Sequence, residues 1–186
     1  INKSTDYFNT KLYTGNGSTQ AITGVGFQPD FIWVKDRDTA RHHYLADAIR
    51  GVKSRLRSDA NNAEYTAGAN DGFDSFDSDG FTLEADSSSL GLNENGSSQV
   101  SWNWKAGTAV SGNTTGSGTY KTYTGSVNTT AGFSIIKYVG NGTVGHQIPH
   151  RLGVAPNMII IKHMSASENW FVYHSSLGNN KDLLLN

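Results

Sequence analysis

The chain has 186 residues, of which 36% are hydrophobic and none is cysteine, and its formal net charge is −1. A chain of this length can bury a core without cross-links, and the lack of thiols excludes a disulfide framework, a thiolate zinc site and a cysteine nucleophile. Because the charge is nearly neutral and no apolar run reaches the length of a membrane span, we expect a soluble protein with no nucleic-acid partner and no membrane insertion.

Five short segments are rich in aromatic and β-branched residues and are bounded by turn-forming residues, which is typical of β-strands. In chain order they are residues 31–34, 81–83, 100–104, 133–138 and 158–161. The best helical candidate, residues 45–50, is too short for a stable helix, so we predict a turn or a strand there. Short strands without amphipathic helices predict an all-β fold, as an antiparallel β-sandwich or barrel.

The chain repeats itself at long period, which matters more than any single strand. Residues 11–18 align with residues 136–143 when Tyr13 is placed on Tyr138, and residues 26–35 align with residues 153–162 after a two-residue insertion. In each copy a strand ends at Tyr and is followed by Gly-Asn-Gly, which predicts a hairpin. A Gly-x-x-Pro sequence then introduces an apolar strand that ends at Lys, which we predict to be central in its sheet.

The repeat predicts three parts. Residues 1–107 form a first β-sandwich module, residues 108–118 form a Gly/Ser/Thr-rich linker with the composition of a flexible spacer, and residues 119–186 form the front part of a second copy. Since the second copy stops short of the first, we expect it to be completed by further chain or by a neighbouring subunit.

These motifs resemble a repeated module in structural and tail-associated proteins of marine and cyanobacterial bacteriophages. The first copy carries GxxPDFIWVKxRD (26–38), HYLADAIRG (43–51), FDSDGFTL (76–83) and SWNWKAG (101–107), and the second carries related motifs within residues 138–178. The resemblance implies a concanavalin-like, jelly-roll β-sandwich in a virion appendage such as a tail fibre or tail tip. It supplies no catalytic residues. An appendage role predicts other virion proteins and further copies of the chain as partners, as a trimer or hexamer.

An acidic stretch runs from Asp59 to Glu94 with nine carboxylates and no Lys or Arg, and a basic stretch, residues 35–57, precedes it. Ion pairs between the two stretches would balance both. Asp74, Asp77 and Asp79 offer oxygen ligands of the kind that calcium prefers, which makes calcium the one candidate cofactor. The alternative is a tight turn in which the Asp side chains accept backbone N–H groups and Gly80 has an unusual dihedral angle.

Aromatic residues form a second constellation. Trp102 and Trp104 alternate with polar residues, so both indoles share one face of a strand, and we expect that face to lie in the core. We predict that Trp33 is also a core residue, because Ile160 occupies the aligned position. Exposed aromatic rings beside polar groups can stack on sugars. The candidates for contact with a host-surface polysaccharide are Tyr44, Tyr65, Trp170 and Tyr173.

Three classes of function remain open from the sequence. A non-enzymatic structural protein of a virion appendage is favoured, and a carbohydrate-binding adhesin or stand-alone lectin module is compatible with it. The alternative is a tailspike-type glycan hydrolase, which needs only two carboxylates facing each other across a cleft. The sequence lacks the nucleophile elbow, Walker loop and zinc-protease motifs, so we predict no catalytic residues.

Overall fold

The computed structural model describes residues 3–86 and 90–186. Apart from two 3₁₀ helices, Ser4–Asp6 and Ser175–Leu177, the regular structure of these residues is all β. The strands are β1 (Phe8–Thr14), β2 (Gln20–Thr23), β3 (Phe31–Asp36), β4 (Tyr44–Asp47), β5 (Ser54–Arg57), β6 (Tyr65–Thr66), β7 (Phe73–Asp77), β8 (Gly80–Leu83), β9 (Ser98–Trp104), β10 (Thr108–Asn113), β11 (Thr115–Gly116), β12 (Thr122–Asn128), β13 (Phe133–Tyr138), β14 (His146–Gln147), β15 (Met158–Ile161), β16 (Phe171–His174) and β17 (Leu183–Leu184).

The five predicted strands are confirmed as β3, β8, β9, β13 and β15, the last two with the predicted bounds. Residues 45–50 form the end of β4 and a turn, as expected. All strand pairs with a recorded register are antiparallel, so the predicted all-β antiparallel class is confirmed.

A six-stranded sheet with the order β1-β9-β3-β4-β5-β6 organises the first part of the chain. Strand β9 lies between β1 and β3 and pairs with both along its length. Strand β3 is central, as predicted, because β9 and β4 occupy its two edges. Strand β9 lies about 60 to 90 residues after β3 and β1 in the sequence but pairs with both, so this sheet depends on long-range contacts.

A second sheet, β2-β8-β7, packs on one face of the six-stranded sheet. Their shared core contains Ile32 and Val34 from β3 together with Ile22, Phe81 and Leu83 from the smaller sheet. Each of these side chains is buried. Two antiparallel sheets around one apolar layer are consistent with a β-sandwich.

The predicted burial of the Trp102 and Trp104 face in the core is wrong. Gln99, Ser101 and Asn103 are the fully buried side chains of β9, whereas both indoles lie half-buried on the opposite face. On this buried polar face the Asn103 side-chain NH2 donates to Ser101 Oγ (3.0 Å) and the Gln99 side-chain NH2 donates to the Gly91 carbonyl (2.7 Å), so the two donor groups have partners. The alternation of residues in β9 therefore predicted correctly that the two indoles share a face, but the prediction that this face is the buried one was wrong.

The predicted hairpin at Gly15-Asn16-Gly17 is also wrong. Strand β1 belongs to the six-stranded sheet and β2 to the smaller one, so the turn carries the chain between sheets. Its backbone is held by the loop before β9: Gly15 N donates to Ser97 O (2.9 Å) and Gly17 N to Asn93 O (2.8 Å). A Cβ at Gly15 would collide with the backbone of this loop, which explains the glycine there.

The second part of the chain forms three small sheets, β10-β12-β13, β11-β14 and β15-β16-β17. Residues 108–118 differ from the predicted spacer, because they contain β10 and β11. Strand β10 pairs with β12 at six successive positions, and Thr114, which follows it, is fully buried. Threonine and valine side chains suit a strand as well as a linker, so composition alone did not distinguish the two.

The register of the first sheet recurs in the last one. Adding 127 to each residue number turns the β3–β4 pairs into the β15–β16 pairs; for example, Phe31 faces Asp47 and Met158 faces His174. The two recorded pairs of β4–β5 become those of β16–β17 in the same way.

The second part packs on the outer face of the six-stranded sheet. The Phe133 ring stacks on Trp104 with a centroid distance of 6.1 Å, and Ser126 Oγ donates to Asp30 (3.1 Å). Trp170 is buried against Leu45 and its indole N–H donates to a carbonyl of β5 at 2.8 Å. The described residues contain no helix that is long and apolar enough to cross a membrane.

Candidate binding surfaces

The basic and acidic stretches neutralise each other, as predicted. Among the described residues, Arg and Lys side chains of the basic stretch pair with four of these carboxylates: Arg41 with Glu94, Arg50 with Glu64 (3.0 Å), Lys53 with Glu84 (2.5 Å) and Arg55 with Asp71 (2.9 Å). The Arg55–Asp71 pair is buried, whereas the Arg41–Glu94 pair is partly exposed. These carboxylates thus join strands and loops within residues 41–94.

Two of the proposed calcium ligands, Asp77 and Asp79, accept hydrogen bonds at the turn between β7 and β8. Asp79 accepts the backbone N–H groups of Gly24 (2.9 Å) and Gly26 (2.6 Å), and these hydrogen bonds lower its pKa. Asp77 accepts from two neighbouring hydroxyls at 2.7 Å, and Gly80 has φ +147°. Asp74 is exposed on β7. Within residues 3–86 and 90–186, no cluster of three or more metal-ligating side chains is present.

Two of the four proposed sugar-contact residues lie inside the protein. Tyr44 is buried in the core between the two sheets, and burial raises the pKa of its hydroxyl. Trp170 is buried between the two parts of the chain, and its indole N–H donates to the carbonyls of Arg57 and Ala60. Neither ring presents a face to a ligand in this structure.

The other two residues lie on different sheets. Tyr65 is 50% exposed on β6, the edge strand of the large sheet, where the Arg55 guanidinium lies 5.3 Å from its ring centroid. Tyr173 is half-buried on β16 and faces Ile159 across the β15–β16 pair. The four candidates therefore do not form one site.

The structure brings a different set of rings together. Trp33, Trp102 and Trp104, with His43, line a pocket of about 250 Å³ on the outer face of the six-stranded sheet. Trp33 is half-buried there and packs against the buried cluster of Leu45, Leu56 and Trp170, so it lies at the edge of a core rather than within it. We call this pocket the aromatic groove. Its rings come from β3 and β9, which are sequence-distant but adjacent in the sheet.

The geometry of the aromatic groove fixes the state of its histidine. The Trp33 indole N–H donates to His43 Nδ1 at 3.0 Å, and the Trp33 and Trp102 ring centroids are 6.2 Å apart at 74°. Because the indole N–H can only donate, Nδ1 is the acceptor and the ring proton lies on Nε2, and burial, the largest cause, lowers the pKa of His43 and so favours this neutral form. The groove thus offers indole surfaces and one neutral imidazole.

A second pocket of about 260 Å³ continues from Trp104 toward the turn before β13. It is lined by Tyr7, Phe8, Trp104 and Phe133, among others. Together the two pockets place aromatic rings along the junction between the two parts of the chain. The sequence signal for them is the Trp-x-Trp alternation of β9, which by itself fits a core face as well as an exposed one.

The sheet β15-β16-β17 is exposed and strongly apolar. Its exposed large side chains are Met158, Ile159, Ile160, Ile161, Phe171, Leu183 and Leu184, each 40–52% exposed. In the first sheet the residues aligned with Ile159 and Ile161 are Ile32 and Val34, which are fully buried under the smaller sheet. We call the three strands the open apolar sheet. Ile161, Phe171 and Leu184 lie opposite one another on one face of this sheet, and Ile160 and Leu183 lie on the other face, so exposed apolar side chains occur on both faces.

The fold and its exposed surfaces define an antiparallel all-β protein that carries an open apolar sheet and an aromatic groove. A family model matches residues 3–186, nearly the whole chain, so the protein belongs to the family described as a domain of unknown function, DUF7483. No curated protein and no solved structure matches the chain significantly.

Proposed function

We propose that this chain is a non-enzymatic structural protein of a bacteriophage virion appendage, such as a tail fibre or tail tip. The resemblance of its motifs to repeated modules of phage tail-associated proteins supports this assignment. The observation that carries it is the open apolar sheet, because a protein whose role is assembly needs apolar surface that only a partner buries. Its partners are other virion proteins and further copies of itself.

The proposal includes a tandem organisation, with one β-sandwich module and the front part of a second copy of it. The recurrence of the β3–β4–β5 register in β15–β16–β17 supports it. The ends of the aligned strands support it further. Lys35 Nζ donates to the carbonyls of Asp36 (2.6 Å) and Thr39 (3.0 Å), and Lys162 Nζ donates to the two aligned carbonyls at 2.7 and 3.2 Å.

The ion pairs favour a structural role over hydrolysis. A glycan hydrolase needs two carboxylates facing each other across a cleft and open to substrate. Glu64, Asp71, Glu84 and Glu94 are each paired with Arg or Lys instead. We therefore expect no release of reducing ends when the protein is incubated with bacterial capsular polysaccharide.

The direct test of the virion assignment is immuno-electron microscopy. Antibodies raised against the chain should label the tail or another surface appendage of purified phage particles from cultures that carry the sequence. Labelling confined to the host cell, with particles unlabelled, would overturn the assignment.

The aromatic groove favours a second role, host-surface polysaccharide binding by the same appendage. Indole faces stack on sugar rings, and the Nε2–H of His43 supplies a hydrogen-bond donor. On a glycan array the protein should bind at least one polysaccharide, and Trp33→Ala should weaken that binding by about ten-fold or more. Tyr120→Ala, which removes a 59% exposed ring outside the groove, is the matched control and should leave binding unchanged. Equal binding by both variants would exclude the groove.

A further inference from the structure

Strand β9 holds the first module together by filling the space between two strands. It pairs with β1 through seven positions and with β3 through six. The strands aligned with β1 and β3 in the second part are β13 and β15. In the described part of the chain, β13 pairs only with β12 and β15 only with β16, so no strand lies between them.

The free edge of β13 is the edge that β9 would occupy. In the first module Tyr7 O accepts from Lys105 N (2.8 Å) and Gly15 N donates to Ser97 O (2.9 Å). Since backbone groups alternate between the two edges of a strand, residues 9, 11 and 13 also face β9. They align with residues 134, 136 and 138.

Strand β12 occupies the opposite edge of β13. A Cβ at Gly125 of β12 would collide with the carbonyl oxygen of Ile135, so the backbone groups of Ile135 face β12. By alternation, those of Ser134, Ile136 and Tyr138 face away from it. The edge left open in the second part is thus the one through which β1 binds β9.

The same holds for β15. Ser175 N donates to Asn157 O (2.8 Å), just as Ala48 N donates to Asp30 O (2.9 Å) in the first module. The odd-numbered residues of β15 therefore face β16, and Met158 and Ile160 direct their backbone groups to the open edge. In β3 the corresponding edge is bonded to β9, with Arg37 N donating to Ser98 O at 2.8 Å.

We propose that the second part binds an extended partner segment with the sequence pattern of β9, which pairs antiparallel with β13 on one side and β15 on the other. The inference rests on the tandem organisation proposed above. The register of the first module specifies the occupant: polar side chains alternate with aromatic ones, and the aromatic ones lie beside Met158 and Ile160, which align with Phe31 and Trp33. Strand addition of this kind combines main-chain hydrogen bonds with side-chain specificity.

A folded second copy does not fit the role of donor. Its own β9 is paired on both edges, and Gln99, Ser101 and Asn103 are fully buried, so release of the strand would dismantle the six-stranded sheet. The donor is therefore a separate segment of the β9 type. Pairing of two copies through β15 is the competing outcome that the test must distinguish.

The probe is a synthetic peptide with the sequence of residues 97–106, titrated into the full chain. Hydrogen–deuterium exchange measured by mass spectrometry should show new protection in residues 133–138 and 158–162, with residues 108–113 unchanged. The same peptide carrying Val100→Pro loses a donor and should give no protection.

Two matched variants locate the site. Ile160→Lys places a charge at the open edge and should weaken peptide binding about ten-fold or more, since lysine blocks strand addition. Val144→Lys makes the same type of change at a 97% exposed position outside both strands and should bind normally. Both variants should melt like the wild type, because Ile160 is exposed.

Several results would overturn the inference. They are absence of protection by the wild-type peptide, equal binding by the two variants, or a dimer of the wild type that Ile160→Lys converts to a monomer, which would make a second copy the occupant. A wrong virion assignment would be recognised by a different result. Particles would remain unlabelled by antibody whether or not the peptide bound.

Discussion

Ile32 and Ile159 occupy aligned positions but very different environments. Ile32 is fully buried, and Ile159 is 40% exposed. Ile32→Ala should lower the free energy of unfolding by about 2–5 kcal/mol, because it leaves a cavity in the core. Ile159→Ala should cost less than about 1 kcal/mol, since little packed volume is lost. Urea denaturation of both variants measures this difference, and equal losses would contradict the burial of the two positions.

The free energy of unfolding should fall in acid because of the Asp36 carboxyl. Burial acts to raise the pKa of its carboxyl, but hydrogen bonds from the Asp38 and Thr39 N–H groups and from the Thr39 and Ser97 hydroxyls outweigh it, so the pKa lies below the ordinary 3.8. The unfolded state therefore takes up the proton first as pH falls. The stabilisation is complete above the ordinary pKa and is lost as pH drops through the folded value.

The measurement is urea denaturation over a series of pH values below neutral. The free energy of unfolding of the wild type should fall steeply below about pH 4. Asp36→Asn should flatten this part of the profile, although it is less stable at neutral pH. Glu168→Gln, at an exposed carboxylate, is the control and should retain the wild-type slope. A profile unchanged by Asp36→Asn would refute the role of Asp36.

At the residue scale the sequence predicted which side chains share a face more reliably than where that face lies. Trp102 and Trp104 do lie on one side of β9, but the polar side is the buried one. Burial of Asn103 depends on partners that the fold supplies, including the carbonyl of Asn9 at 3.1 Å. Such partners come from distant strands, so no local pattern could reveal them.

At the element scale, residues 108–113 were predicted to belong to a flexible spacer but form strand β10. Their pairing with β12 should slow amide exchange in β10 relative to an unstructured peptide of the same sequence. Hydrogen–deuterium exchange with peptide-level resolution tests this. Full exchange of 108–113 at the rate of the free peptide would restore the spacer interpretation.

Strand prediction worked best where β-branched residues are dense, as in β13 and β15. It failed for pairing partners, because the Gly-Asn-Gly turn after β1 leads into a different sheet. A turn sequence specifies local backbone angles, but it does not specify which strand will pair with the strand before the turn. The aromatic groove could not be predicted from the sequence for the same reason, since it needs neighbouring positions of β3 and β9.

At the scale of the whole molecule, the sequence repeat anticipated the register shared by the two halves. It did not reveal how the second part sits on the outer face of the first, where Phe133 and Trp170 pack. That packing joins the two parts into one aromatic junction and leaves the open apolar sheet exposed. The proposed role in assembly follows from this exposed surface.

The mass of the protein in solution is the most direct test of that role. Light scattering over a range of concentrations should give a defined species of three or six times the 20.1 kDa chain, as expected for a symmetric appendage. A well-folded monomer at every concentration would contradict the assembly of the chain into a symmetric appendage.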